Sequence, residues 1–135
     1  MGSKLGKILC AETNPQVLSA QISMFDKAGY AVVPALGRAT IEVALAHAAF
    51  DLVVLGHTLT KDDRHHLPYM AKKANPATRV LVLHASGKHP KVDLAIDSRL
   101  GEAAVLQAVA QLMDSDDSRK VSPRIAAAVA YGIRA

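Results

Sequence analysis

The sequence contains no tryptophan, two phenylalanines and three tyrosines. Sites for single-stranded nucleic acid stack bases on aromatic faces, and such faces are almost missing here. The single cysteine, Cys10, excludes an internal disulfide framework and fits a reducing compartment. No apolar run approaches the ~20 residues of a membrane span. The N-terminus also lacks the apolar segment of a signal peptide, so the chain is expected to be cytoplasmic. There is no long run of one charge. Net charge is +4 and the pI is near 9.4, but the basic residues fall in scattered pairs: Lys72-Lys73, Lys88 with Lys91, and Arg119-Lys120. With neither a basic stripe nor a known motif, no nucleic-acid partner is expected. No membrane partner is expected either, because the alanine-rich C-terminal stretch has too thin an apolar side.

What is present is a globular composition, half apolar, on a chain of 135 residues that suits one domain. Lys7–Ala11 (KILCA) reads as a first strand. Asn14-Pro15 supplies a helix cap and a first-turn proline, and Leu18, Ile22 and Phe25 follow at the spacing of one helical face. Gly29 stops that helix. Tyr30–Ala35 is a second strand, placed at a sheet edge or strand end by Pro34. Ile41, Leu45 and Ala48 mark a second helix. Asp51–Leu55 leads into an unbroken apolar run (LVVL) that ends at Gly56-His57, the pattern of a strand buried on both faces. A polar loop is expected from Gly56 to about His66, and then a helix on Leu67, Met70, Ala71 and Ala74. Pro68 is tolerated only in a first turn, so this helix is expected to begin near His66 and to end at Asn75-Pro76. Arg79–His84 is a fourth strand and Val92–Ile96 a weaker fifth. A last core helix, opened by Ser98 or Gly101, carries Val105, Val109 and Leu112. Strands alternating with helices imply a parallel sheet with helices on both faces. After Met113, the acidic stretch Asp114–Ser118 reads as a linker, followed by a helical tail over Arg124–Tyr131. The expected division is a domain over 5–113 and a linker plus C-terminal tail over 114–135.

Three stretches carry a family resemblance: Lys7–Val17 (KILCAETNPQV), Phe50–Leu59 (FDLVVLGHTL) and Val80–Ser86 (VLVLHAS). Together they resemble the receiver domain of two-component response regulators, over about Lys7 to Met113. The resemblance implies an α/β, flavodoxin-like (CheY-like) doubly wound sandwich, with a five-stranded parallel sheet in the order 2-1-3-4-5. That order places the Pro34 strand at an edge. The interval from His84 to Asp97 is shorter than the roughly twenty residues that the resemblance implies for a full fourth helix, since a crossover with its helix takes at least ~10–12 residues of its own, so the fourth helix is expected to be short or missing.

In the family, two acids after the first strand hold Mg²⁺, and an aspartate after the third strand accepts the phosphoryl group. A Ser or Thr after the fourth strand and a Lys after the fifth contact the phosphoryl oxygens. Carried onto this sequence, the acid pair is Glu12-Thr13, the phosphoacceptor position is Gly56, the Ser/Thr position is His84 and the lysine position falls at about Asp97. Glycine offers no nucleophile. His57 is adjacent, but neighbouring strand residues point to opposite faces. Asp97 inverts the charge that the family uses. The resemblance is therefore to a degenerate, or pseudo-receiver, pocket formed by Glu12, Thr13, Gly56, His57, His84 and Asp97. Mg²⁺ binding is expected to be lost or weak, so no cofactor is expected.

The expected function is a non-enzymatic signalling module, not phosphorylated on aspartate, that acts by contact with a protein partner. A homodimer through the tail or the last core helix is one form of that contact, and the stretch after Met113 is too short for an output domain. The alternative is a metal- or ligand-sensing domain built on the histidine-rich carboxyl edge, where His57, His65, His66, His84 and His89 are all expected in loops. His57, His84 and Glu12 form the candidate ligand set, since imidazole with carboxylate suits Zn²⁺. Against it, no histidine pair has a recognised ligand spacing. Glu12 itself reads as a relic, or as a hydrogen-bond partner of His57 or His84.

Overall fold

The computed structural model describes residues 6–84 and 89–120, and side chains as far as Met113. The chain alternates β1 (Lys7–Glu12), α1 (Pro15–Lys27), β2 (Ala31–Leu36), α2 (Arg38–His47), β3 (Leu52–Leu55), α3 (Lys61–Ala74), β4 (Arg79–Val82) and β5 (Leu94–Ala95). A 3₁₀ turn over Ser98–Leu100 then leads into α4 (Glu102–Lys120). All strand pairs are parallel. The sheet order is β2-β1-β3-β4-β5, the CheY-like flavodoxin arrangement.

Strand alternation divides the core between the two faces. Ile8, Cys10, Leu52, Val54 and Leu81 pack toward α1 and α4. Leu9, Ala11, Val53, Leu55 and Val80 pack toward α2 and α3. All four residues of β3 are fully buried, and burial of such side chains contributes about 1.5–3 kcal/mol each. β2 is the edge strand, and Pro34 lies within it opposite Cys10. An edge tolerates the missing N–H because β2 has a partner on one side only.

Local chemistry explains the helix ends. The Asn14 side chain accepts from the backbone N–H groups of Gln16 and Val17, and Pro15 occupies the first turn of α1. The third helix departs from expectation. It starts at Lys61, not near His66, so His65 and His66 are helical rather than loop residues. Thr60 caps it by accepting from Asp63 N–H at 3.1 Å, and Asp62 and Asp63 suit the positive end of the helix dipole. Pro68 consequently lies inside the helix and withholds the N–H that the Arg64 carbonyl would accept. Burial of Leu67, Pro68 and Ala71 against the sheet offsets that loss. At the other end, Asn75 is the C-cap, as expected.

The fifth strand is two residues long, and its start is completed by a side chain. The Asp93 carboxylate accepts from Val80 N–H at 2.7 Å, in the place of a strand carbonyl. Asp93 N–H in turn donates to the Val80 carbonyl at 2.9 Å. Lys72 (2.7 Å) and Arg79 (3.4 Å) pair with the same carboxylate. Among the described residues no helix stands between β4 and β5. The last helix carries the expected buried face of Val105, Val109 and Leu112, with Ala108. It runs on through Asp114–Ser118, where composition alone suggests a linker. These residues continue a helix already established before Met113, which overrides the weak helix propensity of Asp and Ser. The tail expected over 124–131 lies outside the described residues. Among the described residues no helix is long and apolar enough to cross a membrane.

Candidate functional site

The carboxyl ends of β1 and β3 lie side by side, with Ala11 opposite Leu55. Glu12 and Gly56 are the next residues on each strand, so this register brings them together. Gly56 N–H bonds the Ala11 carbonyl at 2.9 Å. Glu12 is fully buried. A Cβ placed on Gly56 would fall on the Glu12 carboxyl group. The acid from the first strand thus fills the space that any side chain at position 56 would need.

A buried carboxylate requires donors, and this one has them. Gln21, on the buried face of α1, donates from Nε2 to Glu12 Oε2. Thr58 donates twice to Glu12 Oε1, through its backbone N–H at 3.0 Å and through its hydroxyl. The Thr58 hydroxyl also accepts from Thr13 N–H (2.8 Å) and Asn14 N–H (3.2 Å), while the Thr13 hydroxyl donates to the Thr58 carbonyl. Glu12, Thr58 and the loop that starts α1 are therefore one unit. On its inner side, Gln21 Oε1 accepts from the Cys10 thiol at 3.2 Å. Burial, reinforced by the neighbouring Glu12, pushes the Cys10 thiol up to about 12, so it is held as a protonated, inert donor.

The other expected pocket residues are not drawn into this unit. His57 is exposed, with Nδ1 3.4 Å from Ser98 Oγ. His84 is half-buried, and its buried Nδ1 has no hydrogen-bond partner among the described residues. Asp97 caps the 3₁₀ turn by accepting from Arg99 N–H at 2.9 Å and pairs with the Arg99 guanidinium. Those Arg99 contacts hold the Asp97 carboxyl down at about 2, with a smaller contribution from His84. Glu12 makes no hydrogen bond to His57 or His84, in contrast to the pairing considered from sequence. It anchors the buried network instead. Gln21 and Thr58 escaped the sequence reading. Gln21 was detectable in principle, because it lies in the same helical stripe as Leu18 and Phe25.

The donor set does not fit a magnesium ion. Mg²⁺ takes six oxygen ligands in near-octahedral geometry, and here one carboxylate remains, with both oxygens engaged by Gln21 and Thr58. The set of His57, His84 and Glu12 is not assembled as ligands. Among the described residues no group of three or more His, Cys, Asp or Glu side chains stands together as a metal site. His65 and His89 lie elsewhere, edge to face with each other (ring centroids 4.9 Å apart) and with Tyr69, and His66 packs edge to face on His65.

No family model and no curated protein matches this sequence. Solved structures do match. The CheY-like response regulator receiver domain protein of Methanospirillum hungatei JF-1 aligns with a TM-score of 0.74 at 15% identity, over 84% of this chain and 97% of that one. The response regulator receiver protein of Sinorhizobium medicae WSM419 aligns with a TM-score of 0.68 at 21% identity, over 82% and 95%. The receiver domain of a sensor histidine kinase from Pseudomonas aeruginosa PAO1, solved with magnesium in its active-site cleft, gives 0.68 at 13% identity, over 81% and 98%. The fold is that of CheY-like receiver domains.

Proposed function

We propose that this chain is a signal-transduction module of the two-component receiver type that is not phosphorylated on aspartate and acts by protein contact. The observation that carries this reading is the seating of the Glu12 carboxylate on Gly56, held by Gln21 and Thr58. A receiver phosphorylates by presenting a carboxylate nucleophile beside a bound cation. Here the nucleophile position has no side chain, and the space for one is filled. The carboxylate that remains is fully buried, away from any phosphodonor in solution. A non-enzymatic role and weak or lost Mg²⁺ binding belong to the same proposal, supported by the missing side chain at Gly56 and by the engagement of both Glu12 oxygens by Gln21 and Thr58.

The test is incubation of the full chain with acetyl phosphate or phosphoramidate and Mg²⁺, followed by intact-mass measurement. The expected result is no added phosphoryl group. A hydroxylamine-sensitive adduct on the wild-type chain would overturn the proposal. The double variant Glu12→Asp, Gly56→Asp restores an acid beside a nucleophile and shows whether the fold still supports the chemistry. Affinity capture with the same protein then addresses the partner.

A further inference from the structure

Among the described residues, the junction of α1 with α4 at the carboxyl edge is left open. A cleft of about 360 Å³ opens there, within the size range of small-molecule sites. Its origin is local. From α1 the facing side chains Val17 and Ala20 are short. On the other side α4 starts late: Ser98–Leu100 turn as a 3₁₀ segment, and Gly101, at φ +100°, redirects the chain before Glu102 begins the helix. Met24, Leu83 and Val105 complete an apolar interior. The lining also carries polar side chains, Gln16, Gln21, Glu102, His57 and Ser98. His57 Nδ1 and Ser98 Oγ lie 3.4 Å apart, a distance at which neither satisfies the other well. Gln21 forms part of the wall, so the cleft abuts the residue that joins Cys10 to Glu12.

We infer that this cleft is a binding site for a small, uncharged, largely apolar molecule with a single hydrogen-bonding group, which meets His57 and Ser98. The lining selects for that class. No lysine or arginine lines the cleft, and its one carboxylate is Glu102. An anion would meet Glu102 without an offsetting cation, and a cation would have to desolvate against valine and methionine walls. The site does not depend on the chemistry at position 56, so the phosphodonor experiment and the one below succeed or fail separately.

N-phenyl-1-naphthylamine is a suitable probe: uncharged, aromatic, with one N–H, and fluorescent when it leaves water. Titration into the full chain should give saturable one-site binding. Ala20→Phe should weaken it by about tenfold or more by filling the cleft, and His57→Ala by about two- to fivefold by removing one polar contact. Val43→Ser, at an exposed position on α2, should leave it unchanged. Val17→Phe provides a second filling variant if Ala20→Phe does not fold, as judged by circular dichroism. The sulfonated analogue 8-anilino-1-naphthalenesulfonate should bind about tenfold more weakly than the neutral probe. Absence of saturable binding, or equal affinity in the filling variants, overturns the site. Equal affinity for the two probes overturns the assignment to uncharged ligands.

Discussion

The inner strands β1 and β3 and the outer strand β5 end at the same carboxyl edge, but they are held there in opposite ways. At β1 and β3 position 56 carries no side chain, and the Glu12 carboxylate occupies the space with donors from Gln21 and Thr58. At β5 no helix precedes the strand among the described residues, the strand is two residues long, and Asp97 beyond it pairs with the exposed Arg99. The first region is closed by buried contacts. The second is held by one carboxylate, Asp93, at its start. A buried carboxylate with a full set of donors therefore need not weaken a fold.

The most severe way to break this contrast is Gly56→Ala. The added methyl must displace a buried carboxylate from Gln21 and Thr58, which leaves polar groups unpaired in the core. A loss of about 3–5 kcal/mol is expected. In a Glu12→Ala background the same change should cost less than about 1 kcal/mol, because the space is free. Urea unfolding of the four proteins in this cycle measures the coupling. Additive costs would mean that Glu12 and Gly56 are independent and would sink the account of the inner site.

Asp93→Ala probes the outer region. It removes the acceptor of Val80 N–H and strands the Lys72 and Arg79 cations, at an expected cost of about 1–3 kcal/mol. Hydrogen exchange should locate the damage. The Val80 and Ile96 amides, which tie β5 to β4, should lose protection while those of β1 and β3 keep theirs. A uniform loss across the sheet would mean that β5 is not a separate, weaker element.

The same contrast governs what the sequence reveals. The inner strands are legible because a strand buried on both faces leaves an unbroken apolar run, as LVVL does. Gly56 at the end of that run is equally plain. What fills the space is harder to read, since Glu12 and Thr58 meet only through strand register, and a threonine hydroxyl pairs with many groups. Gln21 is partly legible from its place in the α1 stripe. The start of α3 is misread because Pro68 outweighs the local signal of Thr60 with Asp63, although tertiary burial pays for a proline inside a helix. The reach of α4 through Asp114–Ser118 is misread for the related reason that an established helix carries weak formers along. Asp93 escapes notice because a carboxylate that replaces a strand carbonyl has no sequence pattern.

The smallest effect expected concerns Asp97 and sharpens the distinction between a buried acid and an exposed one. The Arg99 hydrogen bonds lower its carboxyl from the ordinary value of 3.8 to about 2. A depressed folded value means that the ion pair favours the fold when pH is above the unfolded value, near 4. That contribution is lost as pH falls from 4 through 2. Because Arg99 is exposed and Asp97 lies at the surface, half-buried, salt and solvent screen the pair, so its effect on stability is slight. The titration itself is the sharper readout. Carboxyl carbon NMR should place Asp97 below the other surface aspartates, and Arg99→Ala should return it toward the ordinary value with no measurable change in urea midpoint. A large loss of stability in Arg99→Ala would show that the outer edge, like the inner one, is held by an acid at its carboxyl end, and the two regions would then be alike in the respect that separates them here.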